Sequence, residues 1–360
     1  MSTRSIKLAS LVTVVVFILG ALLGCAGQQA SAPKSSSDKP ATAQPVVAEK
    51  PAASEKPAPA KQLNYPTKEI TWVVPTSPGG GYDTISRAIA PLMQKNLPNN
   101  PNIVVKNVAG GEWTIGVSEV YNAKPDGYTV GIFSIPGNAV NQVLGLAKYD
   151  LNKITWLGTI TSDPHIAAVS PKSNYRTLDD LRKAPEVKIA TAGLSSTSGL
   201  GALVASQRMG IKPKFVNHNG SSEAFLATIR GDADYTQFPY GSMSKYIVQS
   251  NELIPVWLYD KTRVSTLPNV PTIVELGYPD LLDIVASHFA VGTAPNTPPE
   301  ISQILTEAFT KSVNDPAFVS KLKELGYVGK PSTGEETAVI VKNGVEATAK
   351  YKSELEKVIK

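Results

Sequence analysis

Glu69-Ile-Thr-Trp-Val-Val-Pro75 runs without a break into Thr76-Ser-Pro-Gly79-Gly80-Gly81-Tyr82-Asp83, and Thr84 then opens a new pattern. The first stretch is a short apolar run with no polar alternation, as a strand buried on both faces requires. After Thr84, Ile85, Ile89, Leu92 and Met93 recur at helical spacing, with a kink expected at Pro91. Strand, glycine turn and helix in this order begin an α/β unit. Three glycines at a helix entrance leave main-chain N–H groups uncovered, and the helix dipole there favours a small anion. A plain tight turn explains the glycines equally well in isolation. Asp83 stands where an N-cap belongs, so capping and direct ligand contact are both open to it.

The same unit recurs along the chain. Asn102–Asn107 is a second strand, followed by the loop Asn107-Val-Ala-Gly110-Gly111-Glu112-Trp113 and a helix ending at Tyr121. Tyr128–Phe133 is a third strand. Val187–Thr191 opens another series, with a loop holding Ser195, Ser196, Thr197 and Ser198, then a helix, a strand at Phe215–Asn217 and a helix over Ser222–Arg230. Ala233–Thr236 is a further strand, and Pro299–Val313 reads as a late helix. The stretch from Val345 to Lys360 pairs Glu346 with Lys350 and reads as a solvated helix. Strands alternating with helices predict an α/β fold of two lobes, each a mainly parallel sheet flanked by helices, because some 300 residues exceed one comfortable core. The expected division places 63–165 and 290–360 in lobe 1 and 166–289 in lobe 2. Three loops rich in small donors, shared between two lobes, describe a cleft that closes on a guest.

The N-terminus predicts export. Arg4 and Lys7 precede an apolar run from Leu8 to Leu23, which ends at Leu22-Leu23-Gly24-Cys25. This end resembles the lipobox of bacterial lipoproteins, which implies a signal peptide over 1–24 and lipidation on Cys25. A retained membrane anchor is the other reading, since the run of about 16 residues falls short of the ~20 needed to span. Cys25 is the only cysteine, so no internal disulfide forms. From there to residue 62 the chain is mostly Ala, Pro, Ser, Gln, Lys and Glu, a composition that predicts a disordered tether reaching about 30–35 Å.

Charge and spacing exclude other classes. Of the formal +5, Arg4 and Lys7 supply two and the tether a further two, which leaves +1 for the folded part and no basic footprint for nucleic acid. Gly81-Tyr82-Asp83 is not the Gly-Lys-Ser/Thr of a P-loop, and Thr84 stands where a dinucleotide fingerprint needs its third glycine. His165, His218 and His288 lie too far apart for a helical metal pair, and no Gly-x-Ser-x-Gly elbow occurs. No cofactor, metal or catalytic residue is expected.

Tyr65-Pro-Thr-Lys68, Val74-Pro-x-x-Pro-Gly-Gly-Gly-x-Asp83, Asn107-x-x-Gly110, Ile115-Gly116, Lys124-Pro-Asp-Gly-Tyr-Thr129, Leu267–Gly277, Ala294–Pro298 and Leu322–Gly326 together resemble the Bug-type receptors of tripartite tricarboxylate transporters. The resemblance spans roughly residues 65–335. It implies a Venus-flytrap, periplasmic-binding-protein-like fold and an extracytoplasmic monomer that captures a small carboxylate for membrane permease subunits. It also implies that Ser77, Gly79, Gly80, Gly81, Tyr82 and Asp83, with Gly110 and Gly111 and with Ser195 to Ser198, line the cleft. The chain departs from the pattern at Glu112-Trp113, at Ser195 and at Phe238-Pro239. Trp113, Phe238 and Tyr240 therefore form either an apolar wall for the ligand or part of the core. A ligand-sensing lipoprotein that signals to a membrane sensor, and an exported enzyme, are the alternative functions.

Overall fold

The computed structural model describes residues 63–359. The signal segment, Cys25 and the tether lie outside the described residues.

The first half of the chain builds β1 (Ile70–Val74), α1 (Gly81–Asn96), β2 (Ile103–Asn107), α2 (Thr114–Tyr121), β3 (Thr129–Ile135), α3 (Ala139–Val143) and β4 (Thr155–Asp163). A second series follows: β5 (His165–Val169), α4 (Leu178–Lys183), β6 (Val187–Thr191), α5 (Thr197–Met209), β7 (Pro213–Asn217), α6 (Ser221–Arg230), β8 (Tyr235–Pro239), α7 (Tyr240–Ser244) and β9 (Ile254–Leu258). The chain closes with α8 (Leu282–Val285), β10 (Ser287–Thr293), α9 (Pro299–Val313), α10 (Pro316–Glu324), β11 (Ser332–Thr333), α11 (Gly334–Ala349) and α12 (Lys352–Ile359).

Two sheets result, with strand orders β11-β4-β10-β3-β1-β2 and β7-β6-β8-β5-β9. Each is mixed rather than mainly parallel. In the first, β1 runs parallel to β2 and β3, while β10 is antiparallel to β3 and β4. In the second, β6 runs parallel to β7 and β8, while β5 is antiparallel to β8 and β9. The parallel half of each sheet is the strand–helix–strand series legible in the sequence. The antiparallel half comes from the strands that carry the chain between the sheets.

Alternation along β1 shows why its sequence is apolar throughout. Trp72 and Val74 pack with Ile85, Ile89 and Met93 of α1, whereas Val73 packs on the opposite face with Val117 and Val120 of α2. The second sheet repeats this: Val187 and Ile189 face α5, and Ala190 faces Ala224 and Phe225 of α6. Helix α1 continues through Pro91.

The chain passes from the first sheet to the second through Pro164 alone, and returns to the first at β10, whose Ser287 and His288 pair with β4. Beyond the return, α11 packs on β4 and α3. The stretch read as one solvated helix is two, divided at Lys350–Tyr351, and the second buries Leu355 in the core of the second sheet. Val345, Ala347, Tyr351, Leu355 and Ile359 pack against the cores and anchor a surface that charge alternation alone suggested was fully wet.

Candidate functional site

In sheets of this kind guests bind outside the carboxyl ends of the parallel strands, where helices begin. Here β1 and β2 of the first sheet deliver the entrances of α1 and α2, and β6 and β7 of the second deliver those of α5 and α6.

The turn after β1 carries Gly79 at φ +84, and Gly80 is the N-cap of α1 with no side-chain cap. The first amides of α1 are therefore left without an intrahelical partner. The turn after β7, Asn217-His-Asn-Gly-Ser221, brings the entrance of α6 against it. Ser77 N donates to Asn219 O at 3.2 Å, and a Cβ added to Gly80 would lie 2.8 Å from Ser221 Oγ. A side chain at Gly80 would require the Ser221 hydroxyl to rotate away. Beside it Thr76 is 3% exposed, and its Oγ1 makes no hydrogen bond. A buried hydroxyl with no protein partner therefore borders a crevice between two helix entrances.

Asp83 does not face this crevice. It lies at the third position of α1, not at the cap. Oδ2 accepts from Gly79 N at 2.9 Å and Oδ1 pairs with Arg87 at 2.9 Å. Burial pushes its pKa up, but the Gly79 and Arg87 contacts outweigh that and hold it below its ordinary value.

The turn after β2 reaches across to the other lobe. Gly110 and Gly111 have φ of +119 and +54, and Glu112 and Trp113 follow at +48 and +76, a left-handed run that throws both side chains outward. Trp113 Nε1 donates to Ala192 O at 2.9 Å. Glu112 accepts from Asn217 Nδ2 at 2.9 Å and from Ser195 Oγ at 3.4 Å. Gly110 and Gly111 themselves pack against Ile115, away from the crevice. The turn before α5 meets the end of β3. Ser134 Oγ and Thr197 Oγ1 share a 2.9 Å hydrogen bond, and a Cβ on Gly137 would sit 2.1 Å from Thr197 N.

These contacts surround a narrow crevice. Gly80, Gly81, Tyr82 and Trp113 line it from one side, and Ser196, Thr197, Ser198 and Phe238 from the other. The structure adds Thr76, Ser134, Ser221, Ser242 and Ser287 to the residues read from the sequence. Ser221 had the same signal as the other loops, a strand, Asn-Gly-Ser-Ser, then a helix. Ser287 had none, because it reaches the site through the returning strand.

Of the remaining sequence candidates, Gly79 lines an adjoining recess with Lys245, and Ser77 contacts the second lobe at Gly220. Ser195 is fully buried beneath Glu112. Tyr240 turns away, its hydroxyl 2.6 Å from Thr266 Oγ1. Phe238 is both core and wall: it packs edge-on against Phe225 with centroids 4.9 Å apart and still borders the crevice.

Residues 85–350 match the model of the tripartite tricarboxylate transporter family receptor. The chain belongs to this family. The receptor is 28% identical over 306 residues to a UPF0065 protein in the TAR-I ttuE-ttuC' intergenic region of Agrobacterium vitis, covering 83% of this chain and 85% of that one. In fold it is similar to the periplasmic binding protein BugD, with a TM-score of 0.75 and 22% identity over 81% of this chain and 98% of BugD. It is also similar to R. palustris Rpa4515, solved with adipate, with a TM-score of 0.70 and 25% identity over 82% and 98% of the two chains. Family and fold are those of extracytoplasmic solute-binding proteins and not of enzymes.

Among the described residues no cluster of His, Cys, Asp and Glu is arranged to hold a metal, and no helix is long and apolar enough to cross a membrane. Asp163, where the chain crosses between sheets, accepts from Gly241 N at 2.8 Å, and burial pushes its pKa up to about 7. His165, two residues on, is fully buried with neither ring nitrogen hydrogen-bonded, and burial lowers its pKa to about 3.

Proposed function

We propose that this receptor is a lipid-anchored solute-binding protein that captures a small carboxylate at the meeting point of α1 and α6 and delivers it to the permease of a tripartite transporter. One observation carries the reading: the uncapped entrances of two helices from opposite lobes meet at Gly80 and Ser221, beside the unpartnered buried hydroxyl of Thr76. Main-chain amides, helix dipoles and a free hydroxyl suit a carboxylate without a counter-ion. The adipate in Rpa4515 supports this ligand class. The sequence at Cys25 supports the lipid anchor.

A melting screen of the full-length protein across mono-, di- and aromatic carboxylates tests the ligand class. At a hundred times its dissociation constant a true ligand stabilises by about 2.7 kcal/mol. That corresponds to a melting shift of about 2–4 °C for a chain of this size. A shift with a neutral sugar and none with any carboxylate would refute the reading. Release of the protein from the membrane fraction by Cys25→Ala tests the anchor.

A further inference from the structure

Asp163 ends β4, where the chain crosses through Pro164 to the second sheet, and it is 3% exposed. Gly241 N, from the second lobe, donates to its Oδ2 at 2.8 Å, and no ion pair among the described residues includes it. A buried carboxyl with a backbone donor and no cation is costly to ionise.

This acid adjoins the crevice. Asp163 is the direct cross-strand partner of Ser287, and opposed residues of an antiparallel pair project to the same face about 5 Å apart. Ser287 lines the crevice, and its Oγ lies 3.2 Å from the Tyr82 hydroxyl. The donor Gly241 is followed at once by Ser242, another lining residue. Two phenols feel the charge: burial raises the pKa of Tyr82, to about 12, and that of Tyr327, and ionised Asp163 adds to both. The other ionisable groups nearby do not offset it. Burial lowers the pKa of His165 on β5 to about 3 and of His288 on β10 to about 4, so both are neutral at neutral pH. Lys330 stands beside His288, which alternation along β10 turns to the face opposite Ser287. Lys245, just after α7, lies over the Tyr246 ring.

We infer that Asp163 is a proton site linked to the crevice: a carboxylate captured there draws a proton from solvent onto Asp163, and the two are held together. This rests on the carboxylate reading above and deepens it. Two negative charges separated by a side chain or two in a dry interior repel strongly, so a seated carboxylate disfavours the ionised acid. Burial already brings the Asp163 pKa up to about 7, so near neutral pH the free receptor holds this proton only part of the time. Affinity then falls as pH rises through 7, because more of the receptor has to collect the proton on binding.

The test is calorimetry on the unmodified full-length protein with benzoate, hexanoate and adipate at a series of pH values. Each titration is run in two buffers of different ionisation heat, which counts the protons taken up. A guest that weakens the acidity of Asp163 tenfold makes binding about fivefold weaker at about pH 8.5 than at about pH 6.5, with about 0.4 proton taken up per guest at pH 7. Asp163→Asn keeps an oxygen for Gly241 N–H and should bind with one affinity across the range, taking up no proton. His218→Gln removes the imidazole on the turn before α6 and should leave the uptake in place. Binding by the unmodified protein that is flat with pH and takes up no proton would overturn the inference and leave the carboxylate reading standing. Uptake that survives Asp163→Asn, or vanishes in His218→Gln, would do the same, and the glutamine variant suffices if the asparagine variant does not fold. Silence from all three acids at every pH would remove the carboxylate reading and this inference with it.

Discussion

Trp113 and Ala192 belong to different lobes, and the indole N–H of the first donates to the main-chain carbonyl of the second at 2.9 Å. The same indole meets the Tyr82 ring edge-on, with centroids 4.9 Å apart, and Tyr82 stacks on Phe289 at 4.0 Å. A side chain that lines the crevice therefore also ties the lobes together.

Trp113→Phe keeps an aromatic wall and deletes the donor. A lost hydrogen bond of this kind is worth about 1 kcal/mol, or about a fivefold weaker affinity, because closure then yields less. Titration calorimetry reads the change, and a far larger loss would mean that the ring itself, not the tie, dominates.

Gly137→Ala places a methyl 2.1 Å from Thr197 N, a main-chain atom that no rotamer change can move. The lobes are expected to stop short of contact. Small-angle scattering with saturating ligand should show a wider particle than the wild type, with affinity reduced at least roughly tenfold and each lobe's melting little altered.

Thr76→Val separates stability from function. The hydroxyl is buried and unpartnered, so replacing it with a methyl should raise stability by about 1 kcal/mol while weakening carboxylate binding. Melting without ligand and calorimetry with it are expected to move in opposite senses.

Asp163 and His165 give the receptor opposing pH responses. Between its ordinary value of 3.8 and about 7 the Asp163 carboxyl is ionised in the unfolded chain but holds its proton when folded, so its contribution to stability falls as pH rises. His165 takes a proton below 6.5 only when unfolded, so its contribution falls as pH drops towards 3. The two slopes offset each other between pH 4 and 6.5. Asp163→Asn keeps an oxygen for Gly241 N–H and removes the carboxyl's response. The melting temperature of the variant should climb with pH across that window, and at pH 8 the variant should be more stable than the wild type.

Local pattern made the parallel half of each sheet legible: β6 and α9 fall on the residues their periodicity predicts, and the turns after β1 and β6 stand at the crevice. The antiparallel strands β4, β5, β9 and β10 were not, because their partners are set by where the chain crosses between sheets, which no local spacing records. The same limit explains the site. Gly80 and Ser196 were visible from their own loops, whereas Ser242 and Ser287 arrive from segments with no turn chemistry to mark them. Asp83 and Tyr240 had the right composition and neighbourhood, but a hydrogen bond from Gly79 and a contact with Thr266 turned them elsewhere.

A single residue, Pro164, separates the last strand of one sheet from the first strand of the other. Neither strand can slide past its neighbour over so short a link without breaking its ladder. The sheets are joined again by the segment that returns to β10 and at Lys350–Tyr351, where α11 on the first sheet gives way to α12, whose Leu355 is buried in the second core.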